Sequence, residues 1–215
     1  MVSGRIRNLS AAIRIEVDYK SKPGLLLLTS LAFVIITLSS CTAGHSSGPA
    51  RLIPSIIAKN PAGVRRALKS GADSNQKDKH GTPALVLAAS MTQASIVRDL
   101  IAAGANVDAA DLRGRTALMA VFASSKENKA DADSPVCSIV AQLLKAEATV
   151  DKRNRKGNTA FMFAVWDGQI EVVKLLLEKG ADPSAKEKDG NTALDHAVHY
   201  KKPDIARILR QHQIN

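Results

Sequence analysis

The chain has 215 residues, of which 45% are hydrophobic, 23% are charged and only 3% are aromatic. Its length allows one or two domains, and its core must consist mainly of Ala, Leu, Ile and Val, which suits helix pairs better than a β-sandwich. The formal charge of +10 is compatible with nucleic acid, anionic lipid or an acidic protein partner. The two cysteines, Cys41 and Cys137, are too few for a zinc cluster and lack the spacing of a redox pair.

The N-terminal segment has the layout of a secretory signal. Five basic residues precede an uncharged run of 14 residues, LLLLTSLAFVIITL at 25–38, and small residues follow it. As a helix this run would span about 21 Å, which is short of the roughly 30 Å hydrocarbon core, so a transmembrane anchor is the weaker alternative. Residues 1–40 contain five basic and two acidic groups, so the chain without them keeps a charge of +7.

The apolar run ends in LSSC at residues 38–41, which resembles a bacterial lipobox. In that family the cysteine sulfur receives a diacylglycerol, the chain is cut before it, and the new amino group is acylated. The resemblance implies lipidation of Cys41 and, because Thr42 rather than Asp follows, an outer-membrane lipoprotein facing the periplasm. An ordinary signal peptide with a chance cysteine is the alternative. Residues 41–50, rich in Gly, Ser and Pro, predict a flexible tether.

The rest of the chain repeats itself. Gly81, Gly114, Gly157 and Gly190 open the similar phrases GTPALVLAA, GRTALMAVF, GNTAFMFAV and GNTALDHAV, at spacings of 33, 43 and 33 residues. A second set of phrases, GADSN, GANVD, EATVD and GADPS, has the same three spacings. Two independent phrases with one shared period indicate a repeat architecture.

Each repeat predicts two helices and a turn. Thr116, Thr159 and Thr192 lie two residues after a phrase-opening glycine, where a hydroxyl can cap the short apolar helix that follows. A second helix has apolar residues at helical spacing, as in residues 172–177, and ends near Gly180. Asp or Asn recurs six residues before most of the following glycines, which suits a tight turn.

Helix, turn, helix and extended finger at a 33-residue period resemble the ankyrin repeat over about residues 51–215. The resemblance implies an all-α ankyrin repeat solenoid of about five helix-turn-helix units with short β-turn fingers. The His of the family's Thr-Pro-Leu-His phrase is replaced by apolar or acidic residues, so apolar packing must replace its hydrogen bonds. Glu147 replaces a helix-ending glycine, which should strain or reshape that turn. The predicted parts are a cap at 51–80, repeats at 81–113, 114–156 and 157–189, and a C-terminal cap at 190–215.

The second of these repeats carries ten extra residues, near 124–135. This polar segment ends in Ser134 and Pro135, where the second helix is expected to restart. It is either a neutral surface insertion or a loop that contacts a partner.

No catalytic constellation is found, so we expect a protein that is not an enzyme and that has no cofactor and no metal. The sequence contains no HExxH or Walker phrase. His196 and His199 could share a helix face and bind a metal, but without a third ligand type two surface histidines are favoured. Asp131 and Asp133 lack the ligand spacing of a calcium loop. Cys137 is expected to be buried and unpaired.

Ankyrin-like repeats bind through their finger tips and the exposed face of the first helix of each unit. Of the twelve tip positions, which lie four, two and one residues before each phrase-opening glycine, eight hold Lys or Arg. These eight predict a basic ridge, with simple solubility charge as the alternative. The only Trp and one of the two Tyr fall nine or ten residues after such a glycine, which is typical of interface anchors; core packing is the alternative. The predicted partner-binding residues are Lys77, Lys79, Arg113, Arg153, Arg155, Lys156, Lys186, Lys188, Met91, Trp166, His199 and Tyr200.

Two functions remain open at this point. The first is a periplasm-facing lipoprotein, monomeric when free and joined to the membrane by its lipid alone, that binds a protein with an acidic surface. Some envelope ankyrin and related repeat lipoproteins are immunity proteins against lipase effectors of type VI secretion, and the resemblance implies such a role. The second is attachment to anionic lipid or cell-wall polymer. Nucleic acid is disfavoured because the signal sends the chain out of the cytoplasm.

Overall fold

The computed structural model describes residues 51–123 and 134–212. Within these ranges ten α-helices follow one another in five pairs, and no strand is formed, which confirms the predicted all-α class. The predicted signal segment and tether, Cys41, and the extra residues 124–133 lie outside the described ranges. The helices are α1 (Leu52–Ile57), α2 (Pro61–Lys69), α3 (Ala84–Ser90), α4 (Ala94–Ala102), α5 (Ala117–Ala120), α6 (Pro135–Lys145), α7 (Ala160–Asp167), α8 (Ile170–Glu178), α9 (Ala193–His199) and α10 (Pro203–His212).

The pairs stack in two layers of helices. The first helices, α1, α3, α5, α7 and α9, each contact the next one in the series, and the second helices, α2, α4, α6, α8 and α10, do the same. Buried side chains from all five pairs form one continuous cluster made mainly of Ala, Leu, Ile and Val. Because one short pair cannot bury its own apolar face, each unit depends on its neighbours for stability.

The position that carries His in the family motif is filled differently along the stack. Val86, Met119 and Met162 occupy it in three units, and each side chain is at most 2% exposed. Apolar packing therefore takes the place of hydrogen bonding there, as the sequence predicts. In the last unit Asp195 occupies the position and forms a capping box, in which its carboxylate accepts from the Thr192 amide at 2.8 Å and its own amide donates to the Thr192 hydroxyl at 3.3 Å.

The helix starts follow the predicted caps with one exception. Thr159 accepts a hydrogen bond from the Met162 amide at 3.4 Å, and Thr192 caps α9. The predicted cap by the Thr116 hydroxyl is wrong. The Met119 amide that would reach this hydroxyl donates instead to the Thr116 carbonyl at 3.1 Å, because α5 is a short helix that continues as a 3₁₀ turn. Helix α6 restarts at Pro135, where the sequence predicts it.

Glu147 takes the backbone conformation of the glycine that it replaces. Its φ is 62°, in the left-handed region, and the equivalent Gly180 has a φ of 84°. The following amides bond in the same way, with Ala148 donating to the Leu143 carbonyl at 3.1 Å and Ala181 donating to the Leu176 carbonyl at 3.0 Å. The turn is thus preserved and Glu147 is strained, since the left-handed conformation costs a side-chain-bearing residue about 1–2 kcal/mol.

Candidate protein-binding surface

Four fingers join the successive helix pairs. We number them one to four in chain order and define them as residues 77–83, 110–116, 153–159 and 186–192. Fingers one, two and four are each closed at the base by an isolated antiparallel bridge between their first and last residues: Lys77 with Pro83, Ala110 with Thr116, and Lys186 with Thr192.

A polar side chain lies three residues before each phrase-opening glycine, and in fingers one, two and three it accepts hydrogen bonds that hold the tip. Asp78 accepts from the His80 and Thr82 amides, each at 2.8 Å. Asp111 and Asn154 make the equivalent pair of hydrogen bonds in fingers two and three. In finger four the position is Glu187. Sequence analysis missed these residues, although an Asp, Asn or Glu at that fixed offset was a visible signal.

The aspartates among these residues stay ionised because the backbone N–H groups favour the charged form. For Asp111, partial burial raises the pKa, but the hydrogen bonds from Arg115 and Arg113 outweigh it and hold the pKa below its ordinary value. For Asp78, burial is again outweighed by the Thr82 and His80 amides, which lower the pKa. Both carboxylates therefore stabilise the conformation of their finger tips.

Backbone hydrogen bonds tie fingers two, three and four together. The Arg155 amide donates to the Arg113 carbonyl, and the Lys188 amide donates to the Lys156 carbonyl, each at 3.0 Å. Gly157 permits the second contact, since a Cβ at this residue would lie 3.0 Å from the Lys188 nitrogen and its φ of 82° already disfavours other residues. The tips are thus held at a fixed spacing.

All eight predicted ridge residues have exposed side chains. Within the described part of the chain none of them forms an ion pair. The guanidinium of Arg153 donates a hydrogen bond to the Lys186 carbonyl of finger four at 2.9 Å. We call this set the basic ridge: Lys77, Lys79, Arg113, Arg153, Arg155, Lys156, Lys186 and Lys188.

The predicted aromatic anchors belong to a longer row of rings. Trp166 is half-buried, packed edge-on against Phe163 at 4.8 Å and against His196 at 5.0 Å between ring centroids. His196 stacks on Tyr200 at 6.2 Å, and Tyr200, which is 50% exposed, meets the exposed His199 at 4.9 Å. Trp166 therefore agrees in part with both alternatives, the interface anchor and core packing, because one part of its side chain is in the core and the other part is exposed.

The prediction that His196 is a surface histidine is wrong. Its side chain is 12% exposed, between Trp166 and Tyr200, and its Nε2 lies 3.1 Å from an oxygen of Glu187 without the alignment of a hydrogen bond. The sequence could not show this contact, because it joins helix α9 to finger four and to α7. His199 remains exposed.

Met91 and Cys137 lie elsewhere. Met91 follows α3 and is partly buried. Its sulfur lies 3.4 Å from the side-chain amide nitrogen of Gln93, and the same nitrogen donates a hydrogen bond to the Ile56 carbonyl. The structure thus does not join Met91 to the aromatic row. Cys137 is buried on α6 and unpaired.

In residues 51–123 and 134–212 no helix is long and apolar enough to cross a membrane, and no group of three potential metal ligands is found.

A pocket of about 560 Å³ lies where the ridge meets the aromatic row. Fingers two and three form its polar sides, and Phe163 and Trp166 of α7 form its apolar wall. Four of the lining residues are cationic: Arg113, Arg115, Arg155 and Lys156. Ridge and row, which the sequence suggests separately, are therefore one continuous surface at this point.

Comparison with known proteins agrees with this architecture. A family model described as ankyrin repeats, in three copies, matches residues 129–215. A mitochondrial disaggregase from Bos taurus is 30% identical over 165 residues, which cover 77% of this chain. The chain spans 23% of the length of that relative. Ankyrin repeat proteins are generally non-catalytic modules for protein–protein interaction. The five stacked helix pairs, the fingers and the matching family model show that this chain belongs to the ankyrin repeat family.

Proposed function

We propose that this protein is a lipid-anchored component of a bacterial envelope that faces the periplasm and binds an acidic surface of another protein. The bound partner is a lipase-type toxin, which the protein neutralises as an immunity protein. The lipobox-like phrase that ends at Cys41 supports the anchor, and the family's general role in protein–protein interaction supports the binding. The basic ridge supports an acidic partner.

The basic ridge is the observation that carries the proposal. Its eight cations are exposed, and none of them forms an ion pair in the described residues. Backbone bonds between neighbouring fingers fix the spacing of the tips before a partner arrives. Fixed charges of one sign accelerate association with an oppositely charged surface and select against partners of like charge.

We propose binding without catalysis. The carboxylates beside the ridge, Asp78 and Asp111, accept backbone hydrogen bonds that lower their pKa values, so they are poor proton donors near neutral pH. The generally non-catalytic character of ankyrin repeats supports the same view.

Attachment to anionic lipid or cell-wall polymer is the competing function, since it would use the same cations. The half-buried aromatic row favours a protein, because a tryptophan and a tyrosine beside a basic pocket supply the apolar contact area of a protein interface. Sedimentation of the protein with anionic liposomes, and separately with cell-wall polymer, measures the competing function directly.

Charge reversal tests the ridge. The ridge variant carries Arg153→Glu, Arg155→Glu and Lys156→Glu. The matched control carries Arg98→Glu, Lys145→Glu and Lys179→Glu, three exposed cations on the second-helix side with the same change in total charge. Pull-down from the protein's own envelope should recover the partner with the control and lose it with the ridge variant, whose residual binding should also depend less on salt.

Recovery of the same partners by both variants would remove the ridge from the binding surface. For the immunity role, deletion of the gene should make cells sensitive to toxin-producing siblings. Unchanged protection after deletion would remove that role and leave protein binding intact.

A further inference from the structure

The pocket between fingers two and three differs from the rest of the basic ridge because it has walls. We call it the Trp166 pocket; Leu112, Arg113, Arg115, Arg155, Lys156 and Trp166 are among its lining residues. Its volume of about 560 Å³ lies within the usual range of roughly 300–1,000 Å³ for ligand sites. That volume accommodates two neighbouring side chains of a partner protein.

Three of the four cations in the pocket are available to a ligand. Asp111 already engages Arg115, whose guanidinium lies 2.8 Å from the carboxylate. In the part of the chain that the structure describes, no carboxylate pairs with Arg113, Arg155 or Lys156. An incoming carboxylate would thus meet unpaired positive charge on both sides of the pocket, where charge-assisted hydrogen bonds are stronger than neutral ones.

The floor and rim of the pocket are apolar. Leu112 is 64% exposed, although most leucines in the described residues are buried, and it is the large aliphatic residue among the finger tips. Phe163 and Trp166 meet edge-to-face beneath it. The indole Nε1 of Trp166 is buried and has no hydrogen-bond partner within the described residues.

We propose that the Trp166 pocket receives an aspartate or glutamate side chain together with an adjacent apolar side chain from an exposed loop of the partner protein. The carboxylate lies against Arg113, Arg155 and Lys156, and the apolar side chain packs on Leu112, Phe163 and Trp166. The inference rests on the proposed function, because it names the element of the acidic partner that the ridge recognises. Charge complementarity supports the acid, and the apolar wall supports the neighbouring side chain.

Trp166 is the only tryptophan of the chain, so its fluorescence reports on the pocket alone. The full chain, in a mild detergent, is titrated with a blocked tetrapeptide Ac-Gly-Asp-Phe-Gly-NH₂. One control peptide replaces Asp with Asn, and another replaces Phe with Ala. We expect a saturable change in emission with the first peptide and affinity weaker by about tenfold for each control, which corresponds to about 1.4 kcal/mol. An unblocked peptide that ends in Phe tests whether a chain-terminal carboxylate substitutes for the side chain.

Two variants with equal loss of charge complete the test. Arg113→Gln with Arg155→Gln removes charge from the pocket, whereas Lys77→Gln with Lys79→Gln removes it from finger one of the ridge. We expect the pocket variant to lose peptide binding and the finger-one variant to keep it. The inference fails if emission does not change at millimolar peptide, if the Asn peptide binds equally well, or if both variants lose equally. The ridge still stands in those cases when the charge-reversal pull-down loses the partner.

Discussion

Fingers three and four have similar sequences and different surroundings. Both have cationic tips and contain a glycine with positive φ, Gly157 at 82° and Gly190 at 85°. Finger three has a neighbouring finger on each side: it donates a backbone hydrogen bond to finger two and accepts one from finger four. It also borders the Trp166 pocket. Finger four has a described neighbour on one side. A Cβ on Gly190 would meet nothing within 4 Å, whereas one on Gly157 would meet the backbone of Lys188.

The comparison separates what a repeat position contributes by itself from what its neighbours add. Charge and turn geometry are local properties, and both fingers have them. The close approach of two backbones and the walled pocket need an adjacent finger, and finger three has an adjacent finger on each side.

The largest difference should come from alanine at the two glycines. Gly190→Ala should lower the free energy of unfolding by about 1 kcal/mol through positive φ alone. Gly157→Ala should lower it by about 3 kcal/mol, because the added Cβ also displaces the Lys188 backbone. Urea unfolding followed by circular dichroism measures both. Equal losses would show that the finger–finger contact adds no constraint.

Charge removal should weaken partner binding more in finger three. Arg155→Gln with Lys156→Gln should reduce affinity for the captured partner about tenfold, because both residues line the walled pocket. Lys186→Gln with Lys188→Gln removes the same charge from the open part of the ridge and should reduce affinity about threefold. Binding isotherms at two salt concentrations supply the comparison. An equal effect in the two variants would mean that net charge alone governs binding.

The turns that lead into the two fingers should respond in opposite directions. Glu147→Gly should stabilise the protein by about 1 kcal/mol, because glycine removes the cost of the left-handed conformation. Gly180→Glu at the equivalent turn should destabilise it by a similar amount. Thermal unfolding of both variants provides the measurement, and a loss of stability in Glu147→Gly would indicate that the Glu147 side chain has a compensating contact.

Acid should loosen the helix after finger four before it affects the helix after finger three. Hydrogen bonds from the Thr192 hydroxyl and then from its amide hold the pKa of Asp195 below 3.8, whereas the α7 cap, Thr159, has no titratable group. A carboxyl group whose pKa is lowered on folding stabilises the folded state fully at pH values above its unfolded-state pKa. This stabilisation is lost as the pH falls through the folded-state pKa. Asp195→Asn should therefore lower stability by a few tenths of a kcal/mol near pH 7, and the gap should close at an acidic pH below the folded-state pKa of Asp195.

Hydrogen exchange of the α9 amides at the two pH values locates this effect, with the α7 amides as the internal reference. A gap that persists in acid would show that the capping box does not depend on the ionised carboxylate.

The sequence predicted the fold well because the repeat period alone specifies the order of helices and turns. It predicted the ridge positions because the offset from each glycine fixes which residues reach a tip. It failed where contacts cross between repeats. The burial of His196 depends on Glu187 and Trp166, which belong to different elements, and the Thr116 cap depends on how α5 continues. The tip-holding Asp78, Asp111 and Asn154 were visible as a fixed offset and were overlooked.

The replacement of the family's histidine by Val86, Met119 and Met162 has a consequence for how this molecule responds to its surroundings. At those positions the contacts between stacked units contain no ionisable group, so a change of pH or ionic strength should not act on the stack through them. The fingers, with their carboxylates and cations, should respond to both. A compartment whose pH and salt fluctuate would thus act on the surface that captures a partner and on the cap of α9, and leave these contacts unchanged.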